Sequence, residues 1–251
     1  MFLPLKDINP TERKPAVTYG LIAANVAVFL YQLSLGAARN TAFVAAFGAV
    51  PYEITHMKDL VGNIPGGLPI EHVAGPHPIW LTLFTSMFMH GGFWHIASNM
   101  LFLWIFGNNV EDILGPVKFL LFYVACGLAA AAAHIATAPS STVPTIGASG
   151  AISGVVGAYL IAFPNARVLS LLFLGFFIRL VAVPAFVVII VWFAIQFISG
   201  LASLGAAQTA GIAWFAHIGG FIAGVALIHA MAGRRIAWLR HGGRTGGLPD
   251  N

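Results

Sequence analysis

Long apolar stretches alternate with short polar connections along this 251-residue chain. A helix that crosses a membrane needs about 20 mostly apolar residues, and six stretches approach that length. Proline or charged residues bound most of them, as is typical of helix ends. The predicted spans are Ala16–Gly36, Phe93–Val110, Phe119–Ala138, Ala148–Phe163, Val181–Leu201 and Ile212–Gly233. We therefore predict an all-α integral membrane protein built as a six-helix bundle.

Two connections depart from plain polar loops. Residues 37–92 form a long first loop that is rich in proline yet apolar around residues 41–50, which predicts short interfacial helices. Leu169–Ile178 is apolar but too short to span before Arg179, which predicts an interfacial or re-entrant segment. The predicted organisation is an N-terminal segment 1–14, a six-helix domain 15–233 and a polar tail 234–251.

Composition supports the membrane assignment and excludes a nucleic-acid-binding surface. Hydrophobic residues make up 59% of the chain, charged residues 8%, and the mean hydropathy is +0.87, whereas soluble domains have about 25% charged residues. The net charge of +4 comes from basic residues scattered near helix ends rather than gathered in one patch. Cys126 is the single cysteine, so no internal disulfide can form.

The distribution of basic residues predicts the orientation. Ten of the twelve Lys and Arg residues lie on the side that holds both termini, and only Arg39 and Lys58 lie on the other. The positive-inside rule then places both termini in the cytoplasm. The first residues lack the apolar core of a cleaved signal peptide, and nothing resembles a transit segment, so we expect a retained first span and a bacterial inner membrane.

Polar residues cluster at one depth of the predicted bundle. The second, fourth and sixth spans all begin on the outer side, and each has polar residues near its start: His95 and Asn99, Ser149, and His217. The fourth helix is about 22 Å long at 1.5 Å per residue, shorter than the ~30 Å hydrocarbon layer. Ser149 is therefore expected below the outer surface, in a recessed, hydrated pocket.

Small residues suggest how Ser149 and His217 meet. Gly147 and Gly150 flank Ser149 in a tight turn, and glycines recur at helical spacing after both Ser149 and His217, with Gly220 one turn beyond the histidine. Such stripes allow close helix approach in a bilayer. A hydrogen bond from Ser149 to His217 would form the basic unit of nucleophilic catalysis.

The remaining polar groups complete a hypothesis for the site. No acidic residue lies near the outer end of a span, which favours a Ser-His dyad over a triad. His95 and Asn99 share a helix face and could donate to a developing oxyanion together with the Ser149 backbone N–H. His90 is a candidate supporting residue. His134 and the tryptophans, by contrast, are interpreted as packing or interface residues.

Three segments together resemble the signatures of the rhomboid intramembrane serine proteases: His90 to Asn99, Gly147 to Gly150, and Ala216 to Gly220. The resemblance implies Ser149 as nucleophile, His217 as general base, and His95 and Asn99 as oxyanion donors supported by His90. It further implies transmembrane protein substrates, no metal or cofactor, and a first outer loop lying partly in the membrane. Family members often carry an aromatic residue four positions after the nucleophile, where this chain has Ser153.

Three alternatives remain open from the residues. A catalytically inactive rhomboid-like protein that binds and escorts membrane proteins would share the fold, although it is expected to lack Ser149 or His217. A small transporter could use intramembrane polar residues, yet polar groups through the whole depth would then be expected. A zinc enzyme using His90, His95 and His217 lacks the usual His-Glu-x-x-His pair. Lipids are the expected surroundings, and the sequence does not indicate an oligomeric state.

Overall fold

The computed structural model describes residues 2–63, 71–174, 177–203 and 214–240. The helices are α1 (Ala16–Ser34), α2 (Gly36–Phe47), α3 (Pro51–His56), α4 (Thr82–Thr85), α5 (Phe93–Phe102), α6 (Asn108–Leu114), α7 (Pro116–Thr137), α8 (Ser149–Ala162), α9 (Ala185–Ser203) and α10 (Trp214–Arg240). The strands are β1 (Phe2–Asp7), β2 (Gly62–Asn63), β3 (Glu71–His72), β4 (Arg167–Leu174) and β5 (Phe177–Pro184).

The structure is mostly helical and carries helices suited to a membrane. Within the described part of the chain, α1, α7 and residues 214–237 of α10 are long and apolar enough to cross a bilayer. The helix α8 and the first part of α9 are apolar but shorter. A π-helix, Leu103–Gly107, joins α5 and α6 into a continuous helical run over the predicted second span.

The prediction of a helical fold is confirmed in its main part, but the fold is not purely α, because an antiparallel sheet links the N-terminus to the connection between α8 and α9. Its strand order is β1-β4-β5. The described residues of Leu169–Ile178, expected as an interfacial or re-entrant segment, form half of the β4–β5 hairpin. Val181 lies in β5, so the fifth apolar helix begins at Ala185 rather than at Val181. A short apolar run of this kind fits a strand as well as a helix, so a search for helical spans could not recognise the strand.

The first loop contains short elements, as its apolar stretch predicted. The helix α2 covers the apolar residues near 41–47, and α3 follows after Pro51. A β2–β3 pair and a helical run over Ile79–Phe88 lead to α5. The central part of the loop, residues 64–70, lies outside the described residues.

The helix α8 is the centre of the core. Nearly all its side chains are buried, and Val155, Val156 and Tyr159 are completely enclosed. A Cβ at Gly220 would collide with the Gly150 carbonyl oxygen, and one at Gly224 would collide with the backbone of Gly154. The glycine stripes predicted close helix packing, and the near contact of the α8 and α10 backbones confirms it.

Two adjacent carboxylates fasten the chain before α1. Glu111 accepts hydrogen bonds from the backbone N–H groups of Val17 (2.9 Å) and Thr18 (2.7 Å), and from the Thr18 hydroxyl (2.7 Å). Asp112 accepts from the backbone N–H groups of Glu12 and Arg13. The Val17 and Thr18 N–H groups lie in the first turn of α1 and have no intrahelical acceptor, so Glu111 satisfies them and its charge is favourable at the helix N-terminus, while Asp112 holds the segment before the helix.

The end of α10 extends further than the predicted span. Ala232 has a non-helical backbone at a kink, but the helix continues to Arg240. Beyond the kink, the Arg235 side chain donates a hydrogen bond to the Ile113 carbonyl oxygen at 2.6 Å. The first residues of the proposed tail are therefore helical. The connection between the predicted fifth and sixth spans, residues 204–211, lies outside the described residues, as do Ile212 at the start of the sixth span and tail residues 241–251.

Asp7 should make stability fall as the pH rises. It is 4% exposed and accepts hydrogen bonds from Asn109 and Tyr159, and burial raises its pKa from 3.8 to about 6. The folded state therefore binds the proton more tightly than the unfolded chain, so this stabilisation is complete below pH 4 and is lost through pH 6. We expect Asp7→Asn to flatten the decline in unfolding free energy between pH 4 and pH 7 by about 3 kcal/mol.

Thermal unfolding in detergent micelles at a series of pH values measures this difference. Glu53 provides the reason to compare slopes rather than absolute values, because burial also raises its pKa, from 4.5 to about 7. Its contribution is present in both proteins and cancels. Identical pH profiles for wild type and Asp7→Asn would show that Asp7 is not the group responsible.

Candidate active site

Ser149 and His217 meet through a direct hydrogen bond. Ser149 is the first residue of α8 and His217 lies in the first turn of α10, and the Ser149 Oγ to His217 Nε2 distance is 2.7 Å. The close packing of α8 against α10 brings these helix starts together. With Nε2 unprotonated, the imidazole can accept the serine proton, which is the arrangement that activates a hydroxyl as a nucleophile.

His95 faces the same position from α5. Its Nδ1 accepts a hydrogen bond from the Gly91 N–H at 3.3 Å, so in the neutral ring Nε2 bears the proton. A Cβ built on Gly147 would lie 2.8 Å from that Nε2 and 3.6 Å from the Ser149 Oγ. Gly147 has φ +131°, which a side chain would strain. Glycine therefore leaves the space between the nucleophile and a hydrogen-bond donor open.

Asn99 and His90 support His95 in different ways. The Asn99 amide donates to the His95 carbonyl oxygen at 2.8 Å, which leaves its second N–H for another acceptor. The buried His90 ring packs edge-on against His95 with ring centres 5.0 Å apart. Its backbone is held by Gln32, which accepts from the His90 N–H and donates to the His90 carbonyl oxygen. Gln32 was not expected from the sequence.

Two tryptophans surround His217. The Trp192 ring centre lies 6.1 Å from the imidazole at a 40° tilt, and that of Trp214 lies 6.2 Å away nearly perpendicular to it. Ser153 is buried and donates to the Ser149 carbonyl oxygen at 2.6 Å. Aromatic packing on His217 therefore comes from α9 and α10. The three-residue spacing of Trp214 and His217 was readable in the sequence, whereas the position of Trp192 depends on tertiary structure.

These side chains line one cavity of about 720 Å³. Ser149, His217, His95 and Asn99 all border it, as expected from their shared depth. His134 borders it as well, and its buried Nδ1 has no hydrogen-bond partner among the described residues. The sequence favoured an interfacial or helix-bridging role for His134, because no glycine stripe accompanies it, although its depth did not exclude it from the site. The volume of the cavity lies within the range of about 300–1,000 Å³ that is usual for ligand-binding pockets.

The histidines do not gather as a zinc site would require. Across the described ranges, no three His, Cys, Asp or Glu side chains form a group that could hold a metal ion. His217 instead directs Nε2 at Ser149, and His95 uses Nδ1 as an acceptor.

Fold and cavity together define a helical membrane protein with a serine–histidine pair at the start of two closely packed helices. Residues 77–234 match the Rhomboid domain. The chain belongs to the rhomboid family, a family of serine proteases.

Individual relatives agree with this assignment. The chain is similar to rhomboid protease GluP of Bacillus subtilis, with 30% identity over 213 residues, covering 84% of this chain and 34% of the relative. It is 33% identical over 97 residues to rhomboid protein 1, mitochondrial, of Saccharomyces cerevisiae, covering 37% of this chain and 28% of the relative. RHOMBOID-like protein 4 of Arabidopsis thaliana is 27% identical over 215 residues, covering 82% of this chain and 50% of the relative. The chain spans between about a quarter and a half of the length of these relatives.

Proposed function

We propose that this protein is an intramembrane serine endopeptidase that hydrolyses peptide bonds in or near transmembrane segments of membrane proteins. The observation that carries the proposal is the 2.7 Å contact between Ser149 Oγ and His217 Nε2 beside a cavity. Membership of the rhomboid family supports the reaction class, and the name of the Bacillus subtilis relative describes a protease.

The chemistry uses Ser149 and His217 as a dyad. Ser149 Oγ attacks the substrate carbonyl carbon while His217 Nε2 accepts its proton, which gives a tetrahedral intermediate. The imidazolium then protonates the leaving amine, and an acyl-enzyme remains on Ser149. Water deprotonated by His217 attacks this ester, the acid product leaves, and the proton returns to Ser149. No metal or cofactor has a role in this scheme.

The oxyanion formed in these steps needs donors at its own position. His95 Nε2–H points at the space left by Gly147, beside the Ser149 hydroxyl. The free N–H of Asn99 and the backbone N–H at the start of α8 are the other candidates. Gly147 leaves room for the oxyanion in the turn before α8, while Gly150 on α8 and Gly220 on α10 allow the two helices to pack closely. His90 restrains the His95 ring by packing against it.

The proposed topology has six membrane spans with both termini in the cytoplasm of a bacterial cell, although mitochondrial relatives also exist. The uneven distribution of basic residues supports the orientation. In this proposed topology, residues 1–14 and 234–251 flank a six-helix catalytic domain, residues 15–233. The first loop lies partly in the membrane. Transmembrane protein substrates would enter from the surrounding lipid.

A serine-directed fluorophosphonate probe tests the nucleophile directly. We expect covalent labelling of the full-length protein in detergent, and no labelling of Ser149→Ala. A binding or escort protein without activity, or a transporter, would show no label that depends on Ser149. Labelling that persists in Ser149→Ala would place the reactive serine elsewhere and overturn the proposal.

Loss of an oxyanion donor should lower turnover without weakening substrate binding. We expect Asn99→Ala and His95→Ala each to reduce kcat by about 10²- to 10³-fold with a small change in KM, because these donors act on the charge that develops in the transition state. Steady-state cleavage of a transmembrane reporter peptide in micelles gives both constants.

Ser98→Ala is the matched control for Asn99→Ala. Ser98 Oγ donates to the same His95 carbonyl oxygen, at 3.0 Å, from the neighbouring position on α5. If Asn99 acted only by holding that carbonyl, both variants would lose activity equally. We expect Ser98→Ala to stay within a few-fold of wild type, and an equal loss in the two would contradict the donor role.

A further inference from the structure

The three-stranded sheet has one face that is buried at one end and one exposed apolar face. Cross-strand partners point to the same side of a sheet, and Leu3, Leu171 and Leu180 form one such row across β1, β4 and β5. Together with Leu169, Ile178 and Ala182 they form the face called here the apolar sheet face. Ile178 is 61% exposed and Leu180 is 59% exposed. A water-facing sheet normally carries polar residues on its outer side.

The opposite face packs against the helical bundle at the end of the sheet where Asp7 lies. Asp7 pairs with Val168, and Pro4 pairs with Ser170, and all four are buried. Asp7 reaches Asn109 and Tyr159 of the helical bundle from this side. These contacts turn the apolar sheet face away from the helical bundle. The register maintains this orientation, because a slip by one residue would exchange the two faces.

Chain connectivity places the sheet beside lipid-exposed helices. The strand β4 begins at Arg167, shortly after α8 ends at Ala162, and β5 leads directly into α9 at Ala185. Exposed Phe186 and Ile190 continue the apolar surface onto α9. A full burial in hydrocarbon is excluded, since β1 and β5 are sheet edges whose unpaired backbone groups need water or headgroups.

Two cations lie at one end of the same face. Lys6 pairs with Leu169, and Arg167 lies two residues before Leu169 on β4, so both share its side of the sheet. Both are exposed, and neither forms an ion pair within the part of the chain that the structure describes. An apolar surface bordered by cations suits the boundary between anionic headgroups and acyl chains.

We propose that the apolar sheet face lies in the headgroup–acyl boundary of an anionic bilayer leaflet, where it anchors the N-terminus and the α8–α9 connection. The proposal rests on α1, α7 and α10 crossing the bilayer. It does not depend on the protease proposal, so either can fail alone. The sheet thereby adds a second kind of membrane attachment to the helical bundle.

Site-specific fluorescence in vesicles tests the placement. The full-length chain carries the environment-sensitive dye NBD on Ile178→Cys or Leu180→Cys, in vesicles of phosphatidylcholine and phosphatidylglycerol. Arg179→Cys is the matched control, because it is exposed on the opposite face between the two. Native Cys126 is completely buried, and unlabelled wild type verifies that it does not react.

We expect NBD at positions 178 and 180 to be quenched several-fold more by doxyl-labelled lipid than at 179, with iodide in the aqueous phase giving the reverse order. Equal iodide quenching at all three positions would place the face in water and overturn the proposal. Energy transfer between copies that persists on dilution in lipid, without doxyl quenching, would assign the face to a second copy instead.

The cations give a separate arm of the same experiment. Replacing phosphatidylglycerol with phosphatidylcholine should lower doxyl quenching of NBD at Ile178→Cys. A double variant that also carries Lys6→Gln and Arg167→Gln should no longer show this dependence on lipid composition. A lipid dependence that is unchanged in the double variant would overturn the role given to Lys6 and Arg167. Each variant is first compared with wild type by thermal unfolding, so that a misfolded sheet is recognised.

Discussion

Replacing Ser149 with alanine should abolish cleavage of a transmembrane reporter substrate in reconstituted vesicles, and His217→Ala should do the same. The oxygen of the Ser149 hydroxyl is the atom that would form the acyl-enzyme, and His217 Nε2, 2.7 Å away, is the base that would take its proton. Removing either member of such a unit costs about 10⁴- to 10⁶-fold in kcat. Both variants should therefore fall below detection, and the double variant should be no worse than either single one.

Matched variants on the same two helices separate chemistry from folding. Ser153→Ala removes a buried hydroxyl one turn along α8, and His229→Ala removes an exposed imidazole further along α10. We expect both controls to cleave the reporter within a few-fold of wild type. Normal cleavage by Ser149→Ala or His217→Ala would disprove the dyad, whereas inactive controls would attribute the losses to altered packing.

Much of the candidate site was predictable because membrane topology restricts depth. Helices that start on the same side bring His95, Ser149 and His217 to one level, and the glycine stripes predicted which helix faces meet. Sequence spacing could not predict the Trp192 contact with His217, since it depends on how α9 leans against α10. Nor could it predict that His134 borders the cavity.

The sheet escaped prediction for a different physical reason. Leu169–Ile178 is almost entirely apolar, with Ser170 as its one polar residue, and such a run fits a buried helix or a strand equally well. Its pairing with β1 joins residues more than 160 positions apart, for example Leu3 with Leu171. Local pattern contains no information about that partner. A proline-containing N-terminal segment with several charges also gave little indication of a strand.

The narrow contact between α8 and α10 should also be needed for full activity, although its loss should cost less than the loss of a reacting group, and Gly220→Ala tests this. A methyl group on Gly220 would collide with the Gly150 carbonyl oxygen, a backbone atom that no side-chain rotation can move away. The helices must separate, by about 1 Å, which stretches the Ser149–His217 hydrogen bond beyond a useful length. We expect cleavage to fall by about 100-fold, and unfolding free energy by about 1–3 kcal/mol.

Gly233→Ala is the control, because it makes the same chemical change on α10 at a position where a Cβ would meet nothing within 4 Å. Alanine favours a helix over glycine by about 1 kcal/mol, so this variant should be at least as stable as wild type and fully active. Thermal unfolding and the fluorophosphonate labelling rate, measured on both variants, distinguish the outcomes. If Gly220→Ala is labelled at the wild-type rate, the pair tolerates a wider helix separation, and the positioning of His217 must then come chiefly from Trp192 and Trp214.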